Sequence, residues 1–123
     1  MRISLLELFT HRQYTGFPVS YYFDRKTYTI CRKEHPEEPQ DTPYPRYIPL
    51  FRVDEQALQN DYIQRFMGKS AWRKYQEGTD CFRAFIDRNG EWDGWWRFYE
   101  KTVFEIAKQW CGENHISFVD DNI

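Results

Sequence analysis

The chain has 123 residues, a length that suits one domain and makes a second independent core improbable. Its 29% charged residues, a net charge of -2 and a pI near 5.9 exclude the one-signed composition of a disordered segment, and they argue against general affinity for phosphates or anionic membrane. Ten Phe, nine Tyr and five Trp supply material for a sizeable core although the apolar share is only 41%.

Residues 3–11 place Ile3, Leu5, Leu6 and Phe9 at helical spacing and predict a short N-terminal helix. The apolar run there is interrupted by Glu7 and is too short for a signal sequence, and no stretch approaches the ~18 apolar residues of a membrane helix. Cys31, Cys81 and Cys111 are odd in number and widely spaced, which suits reduced thiols and a cytoplasmic location. Tyr21-Tyr22-Phe23 and Tyr28-Thr29-Ile30-Cys31 flank Asp24-Arg25-Lys26 and predict an antiparallel hairpin.

Five of the six prolines fall between Pro36 and Pro49, so residues 33–49 read as one irregular loop, with Tyr47-Ile48 able to form an edge strand at its end. Asp54 then caps a helix with Leu58, Tyr62, Ile63, Phe66 and Met67 on one face and Gly68 at its end. Two shorter helices follow over 70–77 and 80–88, closed by Gly78-Thr79 and Asn89-Gly90.

The longest helix is expected from a cap at Asp93 to Cys111. At 100° per residue, Trp92, Trp96, Tyr99, Val103, Ile106, Ala107 and Trp110 cluster within about 60° and form the expected core face. Phe98 and Phe104 lie about 120° to either side of it. Together these elements predict a single α+β domain over 1–123: a small antiparallel sheet with a C-terminal helical layer.

The run Cys81-Phe82-Arg83-Ala84-Phe85, then Trp95-Trp96-Arg97-Phe98, then Ala107-Lys108-Gln109-Trp110-Cys111 with Ile116, resembles the uncharacterised bacterial protein family numbered 0158. Its members pair a Phe-Arg-x-Phe segment with a Trp-x-x-Phe helix ending in Ala-x-x-Trp-Leu-x-x-x-Gly-Ile. The match spans roughly residues 78–116, with looser similarity at 22–30 and 47–66. Cys111 stands where Leu is usual and His115 where the family tends to have the helix-ending Gly. The resemblance implies a bacterial single-domain protein and supplies no catalytic residue.

Several constellations could carry chemistry. Cys31 with His35 and Cys111 with His115 form two Cys-x-x-x-His pairs, a possible zinc ligand set that lacks a Cys-x-x-Cys knuckle. No nucleophile elbow, Gly-rich phosphate loop or EF-hand spacing surrounds His11, the cysteines or the acidic runs, so no catalytic residue and no cofactor is assigned. Residues 65–101 hold eight bases against six acids among several tryptophans, which makes Arg73, Arg83, Arg88 and Arg97 candidates for gripping a nucleic-acid strand.

The off-stripe rings Phe98 and Phe104, with Trp95, are candidates for a partner-binding surface, because an apolar ring turned away from the core needs some other cover. The leading expectation is a non-catalytic protein-interaction module that binds a partner or self-associates. The alternatives are an accessory nucleic-acid-binding protein and an enzyme with an unrecognised site.

Overall fold

A computed structural model describes residues 1–32 and 45–121. The zinc candidate His35 and the acidic run of Glu34, Glu37, Glu38 and Asp41 lie outside the described residues, as does most of the proline-rich loop. The chain is α+β and divides into two units, Met1–Val53 with Val103–Ile123, and Asp54–Thr102.

The first unit opens with strand β1 (Ile3–Ser4) and helix α1 (Leu5–Thr10). Ser4 switches the chain from extended to helical: its hydroxyl accepts from the Glu7 amide, which would otherwise lack a partner in the first turn. The Leu6 amide donates to the Asp121 carboxylate at 2.9 Å, so a residue near the other end of the sequence helps to cap the same helix. Ile3 is expected in the helix but pairs as a strand instead.

Strand β2 (Gln13–Tyr14) precedes the predicted hairpin, which forms from β3 (Tyr21–Asp24) and β4 (Thr29–Arg32). Strand β5 (Tyr47–Pro49) adds to the other side of β3, giving an antiparallel sheet in the order β4-β3-β5 with Phe23 opposite both Ile30 and Ile48. Pro49 sits on an outer strand, where its missing amide leaves no ladder bond unmade.

Two short parallel pairs were not expected. β2 pairs with β6 (Arg52–Val53), and β1 pairs with β7 (Phe118–Val119). Elements of two residues carry no alternation for a periodicity search to detect. The buried Gln13 side chain ties β2 to the segments beside it: its carbonyl accepts from the Ser20 and Tyr21 amides at 2.6 and 3.0 Å, and its amide nitrogen donates to the Leu50 carbonyl at 3.4 Å. A single side chain thereby satisfies three backbone groups in an apolar interior.

In the second unit Asp54 caps helix α2 (Glu55–Tyr62), accepting from the Ala57 amide as its position predicts. The helix then widens into a π-helical segment, Ile63–Met67, that ends at Gly68 with φ 96°. Helices α3 (Lys69–Glu77) and α4 (Phe82–Arg88) follow, close to their expected spans.

Helix α5 (Trp92–Glu113) contributes residues 92–102 to the second unit and 103–113 to the first. It starts two residues earlier than a cap at Asp93 would place it. The Glu91 carbonyl accepts from the Trp95 amide at 2.9 Å, and Asp93 lies inside the first turn, where its charge still favours the helix start.

The C-terminal end of α5 closes on His115, whose φ of 56° is left-handed. The Ile116 amide bonds the Cys111 carbonyl at 2.8 Å and the His115 amide the Gly112 carbonyl at 3.4 Å, the reciprocal pair of a Schellman stop. Histidine takes a place that suits glycine, at a conformational cost of about 1–2 kcal/mol.

Candidate interaction surface

The interior of the second unit is built from rings. Tyr62, Ile63, Phe82, Phe85, Ile86, Trp95 and Tyr99 are buried. Trp95 stands at the centre, with ring centroids 4.7 Å from Phe82, 5.4 Å from Tyr99 and 5.7 Å from Tyr62. Edge-to-face and tilted packing of this kind satisfies the ring quadrupoles as well as the area term.

Two tyrosine hydroxyls in this interior need partners, and each finds a carboxylate. Tyr62 donates to Glu91 at 2.7 Å, and Tyr99 donates to Glu55 at 2.6 Å. Burial, reinforced by the Glu91 carboxylate, pushes the Tyr62 phenol up to about 12, so it stays protonated and serves as a donor. The contact requires Gly94: a Cβ there would fall 2.3 Å from the Tyr62 hydroxyl.

The surface of the unit carries the rings that the interior leaves over. Phe66, on the π-helical segment, is 56% exposed and packs on Tyr62 and on half-buried Phe98 at 5.2 and 5.4 Å. Trp92 and Trp96, one helical turn apart on α5, are 40% and 39% exposed. The Arg83 guanidinium lies over the Trp92 ring at 5.5 Å, and Trp96 stacks on Tyr99 at 5.7 Å with the planes 19° apart.

This arrangement corrects the expected contact residues. Trp95 is 5% exposed and Phe104 4% exposed, the latter stacked on Phe9 at 4.8 Å, so both are interior residues. Trp92 and Trp96, expected to face the core, are the exposed pair. The buried side of α5 turns along its length, running through Trp95 and Tyr99 first and then through Val103, Phe104, Ala107, Trp110 and Cys111. One helical wheel over the whole element averages two directions and misassigns residues where they differ most.

Among the other candidates, Arg73, Arg83, Arg88 and Arg97 are all exposed. Arg83 also reaches Asp87 at 4.0 Å, and Arg88 is held by Asp80 at 2.8 Å, so two of the four already have acidic partners. The described residues bring together no group of three or more His, Cys, Asp or Glu able to hold a metal. Cys111 is fully buried, and desolvation pushes its thiol up to about 11, so the uncoordinated thiol stays protonated near neutral pH.

A half-open cleft of about 440 Å³ lies beside the ends of α3 and α4, lined by Lys74, Tyr75, Thr79, Asp80, Arg88 and Asn89 among others. Neither a histidine nor a cysteine lines it. No helix among the described residues is long and apolar enough to cross a membrane. The sequence could have flagged one feature of this unit, namely Gly94 inside an aromatic helical run, where glycine marks a close approach. Nothing in the sequence pairs Tyr62 with Glu91 or Tyr99 with Glu55. No family model, no curated protein and no solved structure matches the chain.

Proposed function

We propose that the protein is a non-catalytic interaction module whose contact surface is the Trp92–Trp96 ridge of α5. The observation that carries this reading is the pair of indoles left two-fifths exposed a single turn apart while their neighbours Trp95 and Tyr99 are buried. Covering such a ring removes roughly 100 Å² from water, worth about 2 kcal/mol. Two adjacent rings of this kind make an anchor of the sort that dominates protein interfaces. The odd number and wide spacing of the three cysteines support placing the module in a reducing cytoplasm, and the sequence resemblance supports a bacterial setting.

Affinity capture from native cells tests the reading. The wild-type chain is expected to retain a discrete protein partner that a folded Trp92→Ala, Trp96→Ala double variant loses. An identical set of captured proteins with both chains contradicts it.

A second reading, binding to a single nucleic-acid strand, draws support from the Arg83–Trp92 stack, which pairs a cation with a ring as strand-binding surfaces do. Low-salt titration with oligonucleotides separates the two: binding that weakens steeply with salt and with Arg83→Ala favours the strand, and no response removes it.

A further inference from the structure

Trp92 and Trp96 differ in what already covers them. Trp92 carries an internal cation, the Arg83 guanidinium, 5.5 Å from its ring centroid. Trp96 has one face on Tyr99, is otherwise 39% exposed, and has no such cation over it among the described residues. Its neighbours on the helix surface, three residues before and four after, are Asp93 and Glu100. Among the described residues neither carboxylate takes part in an ion pair, although Arg65, Arg83, Arg88, Arg46 and Lys108 all find acidic partners elsewhere. Asp93 favours the start of α5, whereas Glu100 lies too far along the helix to do so.

We infer that the Trp96 position, with Asp93 and Glu100 beside it, receives an arginine side chain of a protein partner. The proposal rests on the interaction-module reading and names the chemistry of the partner. An indole beside two carboxylates offers a guanidinium a π surface and charge-assisted acceptors together, the combination for which arginine is better suited than lysine. The same charges oppose a phosphate backbone at Trp96, whereas the strand-binding reading draws on Arg83 over Trp92.

Titrating the full chain with a synthetic arginine-rich peptide, followed by tryptophan fluorescence, tests the inference. Saturable binding is expected, weakened at least tenfold by Trp96→Ala and several-fold by Glu100→Gln or Asp93→Asn. Glu77→Gln, an exposed acid on α3, should leave it unchanged, and the peptide with citrulline in place of arginine should not bind. Equal loss with Glu77→Gln, or binding indifferent to Trp96→Ala and Glu100→Gln, overturns the inference. The two readings fail separately: a native partner lost with the tryptophan double variant but retained by Glu100→Gln and Asp93→Asn leaves the module standing and removes the arginine, whereas a partner set unchanged by the double variant removes the module.

Discussion

Asp24 shows how much a single side chain decides in the first unit. It is buried at the end of β3 and accepts from Arg46 through both oxygens, at 3.0 and 3.1 Å, and from the Lys26 amide at 3.0 Å. The Arg46 hydrogen bonds outweigh burial and hold its carboxyl at about 2, below the ordinary 3.8. A depressed acid stabilises the folded state above its unfolded value, and that contribution disappears as pH falls through the folded one. Urea midpoints are therefore expected to drop between pH 4 and pH 2. Asp24→Asn should lower stability by about 1.5–3 kcal/mol at neutral pH and flatten the drop. An unchanged acid dependence in the variant contradicts the assignment. Tyr28 sits beside Asp24 in the turn of the same hairpin, its amide bonding the Asp24 carbonyl at 2.7 Å: its φ of 59° strains a bulky residue, and its hydroxyl, accepting from the Ser117 amide at 2.7 Å, with its ring against Phe23, gives the position a reason to keep tyrosine.

At the scale of elements, caps and breakers were legible and interior direction was not. Asp54 and Gly68 act on their nearest turns, so their effect is written in adjacent residues, whereas the cap at Ser4 fell inside the span expected to be helical. The turning of the buried side of α5 depends on what packs against each half, and no local pattern records that. The widened turn at Ile63–Met67 was equally hidden, since the expected apolar face Leu58, Tyr62, Ile63, Phe66 and Met67 assumes an unbroken α-helical repeat; Phe66 ends up outside. Gly94 ties α2 to the start of α5 through Tyr62. Gly94→Ala gains up to about 1 kcal/mol of helix propensity, yet its methyl group displaces the Tyr62 hydroxyl from Glu91. A net loss of about 1–3 kcal/mol is expected by thermal unfolding. A stabilised variant would show that the hydroxyl moves freely.

At the scale of the whole molecule, the α+β class followed from composition and periodicity, because aromatic and β-branched runs precede the prolines and helical spacing follows them. The surface offered to a partner was not readable in the same way. Sequence arithmetic placed Phe104 and Trp95 outside and Trp92 and Trp96 inside, and the exposed ridge emerged only with side-chain burial. Placing a photocrosslinking amino acid at exposed Arg97, beside the ridge and with both indoles kept, tests the proposed contact site in native cells. Irradiation is expected to yield one predominant protein adduct that the same group at exposed Gln56 on α2 does not produce. Crosslinking from position 97 that gives no adduct, or the same products as position 56, would contradict it.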